Sequence, residues 1–271
     1  MFDTRPIGIF DSGVGGLTVL NALVQRFPHE SFIYLGDTAR VPYGTKSART
    51  VERYVIQVAD CLLRRGVKGL VVACNTASAL GLSALRVHCQ TPILGVIKPG
   101  CRAALALTAG FDAPKRVGVI GTRSTVASGA YQNHLANLDP RIQVVSLACP
   151  LFVPLVEEGW VTHPAVKMIV EETLAPLRSQ SLHAMILGCT HYPVLTSVIA
   201  EVMGPDIALV DSSLAVAEEL GRYLESVIDP APPDQVQKLE FLVTDVADRF
   251  KEMAARFIDG VAAELVEMVD L

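Results

Sequence analysis

Two short stretches of this 271-residue chain, LVVACNT at residues 70–76 and MILGCTH at residues 185–191, indicate how it folds. Each is an apolar run typical of a buried strand, and each ends in a cysteine followed by hydrogen-bonding side chains. The two cysteines are about 115 residues apart. A second pair of similar segments, GIFDSG at 8–13 and GVIGTR at 118–123, has nearly the same separation. The matched separations predict two related domains.

Short apolar runs alternate with longer amphipathic stretches along the rest of the chain. The stretch at 50–65, for example, places its apolar side chains on one helical face. This alternation is typical of parallel sheets covered by helices, so we predict an α/β fold. The predicted strands are Ile7–Phe10, Phe32–Leu35, Leu70–Ala73, Ile93–Ile97, Val117–Ile120, Gln143–Leu147, Ala184–Leu187 and Ala208–Val210, with a final strand and helix at Leu239–Val243 and Val246–Ile258.

Composition excludes several classes of protein. With 23 basic and 28 acidic residues the net charge is -5, which gives no general attraction for nucleic acid or anionic lipid. The longest uncharged stretch, 179–200, contains polar residues and Pro193 that disfavour a membrane-spanning helix. The first residues do not form a secretory signal, which predicts a cytoplasmic protein. Six irregularly spaced cysteines indicate reduced thiols.

Candidate functional residues follow four of the predicted strands. Ligands of open parallel sheets bind outside the carboxyl ends of the strands. Asp11, Cys74, Thr122 and Cys189 all fall at such ends. Two similar domains that face each other would therefore bring both cysteines to one cleft.

The chemistry of two matched thiols favours proton transfer. A lone cysteine at a strand end is usually a core residue, and we interpret the other four cysteines in that way. Cys74 and Cys189 are instead followed by polar side chains and are predicted near helix N-termini, which lower a thiol pKa. Racemisation removes a proton from one face of a carbon and returns one to the other, so it suits two like groups. Asp11 and His191 are candidate assistants, although a helix cap and a turn residue explain them equally well.

Other interpretations of these segments stay open at this point. The loop DSGVGGLT at 11–18 is a tight turn or an anion site at a helix N-terminus. A dinucleotide site would require glycine in place of Thr18, although Asp37 has the usual spacing of a ribose ligand. A thiol protease would require Cys189 and His191 to face each other across a bent turn. No known spacing of metal ligands is present.

Long ungapped motifs resemble the glutamate racemase family, within the aspartate/glutamate racemase group. The resemblance covers nearly the whole chain. Its motifs are GIFDSGVGGLTVL, YLGDTARVPYG, VVACNTASA, PILGVIKP, VGVIGTRSTV, LACPLFVPLVEEG, ILGCTHYP and VTDVADRFKEMAARF.

The resemblance implies an enzyme that interconverts L- and D-glutamate without cofactor or metal and supplies D-glutamate for peptidoglycan in the bacterial cytoplasm. It implies that Cys74, assisted by Asp11, handles the α-proton of D-glutamate. Cys189, assisted by His191, would handle that of L-glutamate. The substrate contacts that it implies are Asp11, Ser12, Tyr43, Gly44, Asn75, Thr76, Thr122, Thr190 and His191.

The resemblance also implies the domain arrangement and the partners. Residues 1–98 and 209–271 would form the first domain and residues 99–208 the second, related by a pseudo-two-fold with the active site between them. The partners implied are the small-molecule substrate and a second copy in a homodimer, with DNA gyrase a further candidate. Aspartate or a hydantoin is the alternative substrate within the same group.

Overall fold

The structure, a computed structural model, describes residues 1–112, 114–258 and 266–271. The strands are β1 (Ile7–Asp11), β2 (Phe32–Gly36), β3 (Gly69–Val72), β4 (Ile93–Gly95), β5 (Lys115–Gly121), β6 (Ile142–Ala148), β7 (Ala184–Gly188), β8 (Ala208–Asp211), β9 (Leu239–Val243) and β10 (Val266–Met268). The helices are α1 (Leu17–Arg26), α2 (Ala48–Arg64), α3 (Asn75–Leu80), α4 (Leu82–His88), α5 (Ile97–Leu107), α6 (Arg123–Ala127), α7 (Ala130–Leu138), α8 (Phe152–Glu157), α9 (Pro164–Arg178), α10 (Thr196–Met203), α11 (Ser212–Ser226) and α12 (Ala247–Phe257), with 3-10 turns at Tyr43–Thr45 and Tyr192–Leu195.

Two parallel sheets form the frame of the molecule. One has the order β10-β9-β2-β1-β3-β4 and the other β6-β5-β7-β8. The two sets of strands, β2-β1-β3-β4 and β6-β5-β7-β8, have the same arrangement. In each set the second strand along the chain lies at one edge, followed by the first, third and fourth, and all pairs are parallel. The predicted α/β class and the internal repeat are therefore confirmed. β3 and β7, which precede the two cysteines, occupy equivalent places in the two sheets.

The predicted elements overlap observed ones with bounds that differ by at most two residues, and two differences affect the fold. The prediction of a strand over Ile93–Ile97 is wrong at its end, because β4 stops at Gly95 and Ile97 begins α5. Val96 already has helical backbone angles, so the chain turns two residues earlier than its apolar run. β10 was not predicted, because three residues are too few to show a pattern.

The chain crosses between the sheets twice, from β4 into α5 and from β8 into α11. α11 packs against both α1 and α5, and α5 packs on β7. The predicted change of domain at residue 209 falls inside β8, where Leu209 pairs with Met185 of the second sheet. A division that keeps β8 with its sheet lies after Asp211. The first domain as predicted includes residues 259–265, which lie outside the described part of the chain.

Hydrophobic side chains from both sheets join in one large core. It includes Leu17 on α1, Tyr131 on α7 and Phe250 on α12. A smaller cluster packs α2 against the other face of the first sheet, through Val51 and Val55. Across the residues that could be described, no helix is long and apolar enough to cross a membrane.

Candidate active site

The carboxyl ends of the two sheets meet at a small enclosed cavity. Asp11 is the last residue of β1, and Thr122 and Cys189 directly follow β5 and β7. Cys74 lies two residues after β3. The cavity measures about 30 Å³. It is lined by Ser12, Val41, Pro42, Tyr43, Gly44, Cys74, Asn75, Thr76, Thr122, Val153, Cys189, Thr190 and His191.

Cys74 is the N-cap residue of α3. Its Sγ accepts a hydrogen bond from the Ala77 N–H at 3.4 Å and donates one to the Ser12 Oγ at 3.6 Å. The side chain is 6% exposed. The sulfur is therefore held between the first turn of α3 and the loop that follows β1.

Cys189 lies beside an imidazole and a carboxylate. The turn after β7 bends so that the Cys189 Sγ is 3.9 Å from the His191 Nδ1. The other ring nitrogen, Nε2, is 3.1 Å from the Oε1 of Glu157 at the end of α8. The imidazole ring also packs against the Phe257 ring in a T-shaped contact. His191 thus connects the thiol to a carboxylate from another element.

Burial raises the pKa of both thiols, which corrects the prediction that helix N-termini lower it. The pKa of Cys74 is about 12, because desolvation and the nearby Asp11 carboxylate outweigh the hydrogen bonds from Ala77 and Ser12. Desolvation also raises the pKa of Cys189, and repulsion from the Cys74 thiolate adds to it. Without a ligand both groups are neutral thiols at pH 7.

Asp11 lies behind the cavity rather than on its lining. It is 1% exposed, and its carboxylate accepts hydrogen bonds from the Gly13 N–H at 2.9 Å and the Thr190 Oγ1 at 3.3 Å. Burial raises its pKa, against the opposing effect of the His191 charge. Asp11 therefore binds both the loop that contacts Cys74 and the residue that follows Cys189.

The glycines after β1 let this loop pass close to the second sheet. A Cβ on Gly15 would lie 2.4 Å from both the His191 Nδ1 and the Thr190 Oγ1. Only hydrogen fits in that space, so the glycine is required by the close approach of the loop backbone to these two side chains. A dinucleotide site is not needed to explain the glycine-rich segment.

Tyr43 and Gly44 form one wall of the cavity. The Tyr43 hydroxyl donates to the Asp37 carboxylate, which also accepts from the Arg40 Nε at 2.7 Å. A Cβ on Gly44 would lie 2.7 Å from the Cβ of Thr122. The wall from the first sheet therefore contacts the second sheet directly. The Asp37 carboxylate binds the Tyr43 hydroxyl, which explains its place in the sequence without a ribose.

Hydroxyl groups join the two sheets next to this contact. The Oγ1 atoms of Thr76 and Thr122 are 2.9 Å apart, and each is also within 3.1 Å of the Thr125 hydroxyl. Next to them the Asn75 Nδ2 donates to the Tyr131 hydroxyl at 2.8 Å. The threonine hydroxyls are hydrogen-bond donors of the kind that binds carboxylates.

The structure brings all the sequence-predicted site residues together, with Asp11 behind the others. Sequence reasoning missed the supporting residues Glu157 and Tyr131, and the lining residues Val41, Pro42 and Val153. Glu157 lies in the motif LACPLFVPLVEEG, which was the only available signal for it. Within the described residues, no group of three or more His, Cys, Asp or Glu side chains is arranged to hold a metal ion.

Comparison with known proteins places the chain in a family. The sequence model of Asp/Glu/Hydantoin racemase matches residues 8–220. A glutamate racemase of Syntrophus aciditrophicus is 44% identical over 99% of this chain and 98% of its own length. A glutamate racemase isoform of Bacillus anthracis has a TM-score of 0.92 at 38% identity, with 98% of each chain covered. The Francisella tularensis glutamate racemase solved with D-glutamate has a TM-score of 0.90 at 35% identity, covering 99% of this chain and 98% of that one. This chain therefore belongs to the Asp/Glu/Hydantoin racemase family.

Proposed function

We propose that this racemase interconverts L- and D-glutamate through Cys74 and Cys189, which act on opposite faces of the α-carbon. The observation that carries the proposal is the pair of cysteines, which follow equivalent strands of two sheets and line one cavity. A racemase needs one base and one acid whose roles exchange when the other enantiomer binds. Two like thiols in equivalent positions meet that requirement.

The proposed proton transfer is balanced over one turnover. With D-glutamate bound, the Cys74 thiolate takes the α-proton, and the electron pair of the C–H bond moves into the α-carboxylate. The Cys189 thiol then gives its proton to the opposite face, and the pair returns to form the new C–H bond. Cys74 ends as thiol and Cys189 as thiolate, which is the state that accepts L-glutamate.

Substrate binding has a part in forming the thiolate. Burial raises the pKa of Cys74 well above its usual value, so the group is a neutral thiol at pH 7 before substrate binds. The ammonium group of an amino acid is bonded to the carbon that is deprotonated, so it lies within a few Å of the attacking sulfur. Its positive charge favours the thiolate. Asp11 near Cys74 and His191 near Cys189 are placed to receive the thiol proton.

The polar groups of the cavity suit glutamate. The Thr76 and Thr122 hydroxyls, the Ser12 hydroxyl and the backbone at Gly44 are donors for two carboxylates. The D-glutamate complex of the Francisella relative supports this choice of substrate. A cavity of about 30 Å³ holds about two water molecules. We therefore propose that the two sheets move apart to admit the amino acid.

Racemisation of purified protein tests the proposal. Each enantiomer of glutamate and aspartate is incubated separately and followed by circular dichroism. We expect both glutamate enantiomers to racemise and Cys74→Ser and Cys189→Ser to lose nearly all turnover, whereas Cys89→Ser, which is remote from the cavity, keeps it. Turnover of aspartate alone would change the substrate but not the mechanism. Near-normal activity of either active-site variant would refute the two-thiol mechanism.

The cellular role and the macromolecular partners are part of the same proposal. We propose that the enzyme supplies D-glutamate for peptidoglycan in the bacterial cytoplasm, which complementation of a D-glutamate auxotroph tests, with Cys74→Ser as the negative control. A homodimer would be detected by light scattering. Interaction with DNA gyrase would appear as inhibition of supercoiling by the Cys74→Ser protein.

A further inference from the structure

Tyr131 on α7 is buried next to both catalytic segments. Its side chain is 1% exposed. A Cβ on Gly188, the residue before Cys189, would lie 3.2 Å from the ring. A Cβ on Gly100 of α5 would lie 3.6 Å from the opposite ring edge. The ring therefore packs between the strand end that carries Cys189 and the helix that follows the first crossing between the sheets.

The Tyr131 hydroxyl belongs to a chain of hydrogen bonds. It accepts from the Asn75 Nδ2 at 2.8 Å and is also hydrogen-bonded to Ser212, the first residue of α11. Ser212 donates its only proton to the Leu187 carbonyl at 2.9 Å. These hydrogen bonds connect Asn75 through Tyr131 and Ser212 to β7.

The hydrogen bond from the Asn75 Nδ2 to Tyr131 fixes which end of the Asn75 amide is left without a partner. The Nδ2 is held by Tyr131, so the Oδ1 is the free end. It is buried and has no hydrogen-bond partner within the described part of the chain. Asn75 lines the cavity directly after Cys74. An unpartnered buried acceptor at this point calls for a donor from the ligand.

We propose that Tyr131 is a positioning residue that holds the Asn75 Oδ1 toward the cavity, where it accepts a hydrogen bond from the ammonium group of the amino-acid substrate. This inference rests on the proposed racemase function. The ammonium group is the donor that every α-amino acid brings to the reacting carbon. A reversed amide would point N–H groups at that cation.

Tyr131→Phe keeps the ring packing and removes the hydroxyl. The Asn75 amide then loses its anchor, and we expect the KM for both L- and D-glutamate to rise about tenfold. The ammonium group is unchanged during the reaction, so the contact is equally strong in the ground state and the transition state. kcat should therefore stay within about threefold of the wild-type value. Tyr223→Phe, which removes a half-buried hydroxyl 3.5 Å from the Ile93 carbonyl, is the matched control and should leave KM unchanged.

Two further variants separate positioning from packing. Ser212→Ala removes the second hydrogen-bond partner of the phenol without touching the ring and should raise KM by about threefold. Adding Tyr131→Phe to Asn75→Ala should raise KM no further, because Tyr131 acts through Asn75.

The outcomes distinguish this inference from the proposed function. A Tyr131→Phe enzyme that melts at a lower temperature but keeps its KM would overturn the positioning role. A double variant of Tyr131→Phe and Asn75→Ala whose rise in KM equals the product of the two single-variant rises would overturn it as well. A wild-type protein that racemises no glutamate would instead overturn the proposed function, and this inference with it.

Discussion

At the scale of single residues, burial dominates the chemistry of the two thiols. Cys74 and Cys189 are each 6% exposed, and desolvation is the largest cause of their raised pKa values. The Asp11 carboxylate acts in the same direction, since a second negative charge nearby disfavours thiolate. An empty site thus keeps its thiols protonated and unreactive.

Asp11→Asn should lower the pKa of Cys74, because it removes a negative charge that raises that pKa. More thiolate should therefore form at a given pH, and its absorbance at 240 nm should rise at lower pH than in the wild-type protein. The Cys74→Ser spectrum, subtracted at each pH, isolates the signal. Racemase activity should nevertheless fall, because the amide of asparagine cannot receive the Cys74 proton. A Cys74 pKa equal to or above that of the wild type would contradict this account of the thiol.

At the scale of elements, the site depends on the close contact between the β1–α1 loop and the turn after β7. Gly15 lies directly below Thr190 and His191, and Thr18 donates to the Thr190 carbonyl at 3.1 Å. Loop and turn come from different sheets, so their contact sets the distance across the cavity.

Gly15→Ala should lower kcat/KM about 100-fold, because its methyl group would displace Thr190 and His191 by roughly 1 Å. Gly13→Ala is the matched control, since its Cβ would meet only Val41 at 3.4 Å, which is ordinary contact. Steady-state racemisation of both variants makes the comparison. Equal losses in the two would show that the tight contact at Gly15 is unimportant.

The elements of this fold differ in how well the sequence predicts them. The strands and the strand-end residues Cys74 and Cys189 were predictable, because buried parallel strands are apolar runs and their carboxyl ends share one edge. Glu157 and Tyr131 were not, because they reach the site from helices whose orientation depends on packing. The direction of the thiol pKa shift was also missed, since the depth of burial is not visible in a local pattern.

At the scale of the whole molecule, a buried ion pair ties distant parts of the first sheet's domain together. The Lys68 Nζ is 2.8 Å from the Glu30 Oε2 and donates to the Asp3 carbonyl at 2.9 Å and the Asp229 carbonyl at 3.0 Å. Asp229 lies on the segment by which the chain returns from α11 to β9. The pair therefore holds the returning segment against the N-terminal one.

Lys68→Met should lower the free energy of unfolding by about 3–5 kcal/mol, because it leaves the Glu30 carboxylate buried without its cation. Urea denaturation measures the change. Lys167→Met removes an exposed partner of Glu201 and should leave the unfolding midpoint unchanged. If both variants lose the same stability, the buried pair does not hold the domain together.

The distribution of deuterium during the first turnovers in D₂O tests the two-base mechanism most directly. A thiol that exchanges its proton with solvent before each turnover should deliver deuterium to the product enantiomer, while the remaining substrate keeps its α-proton. We predict this pattern from L-glutamate and from D-glutamate alike, measured by mass spectrometry after chiral separation. Transfer of the substrate's own α-proton to the product would mean that one base serves both faces, and would contradict the assignment of Cys74 and Cys189 to opposite faces.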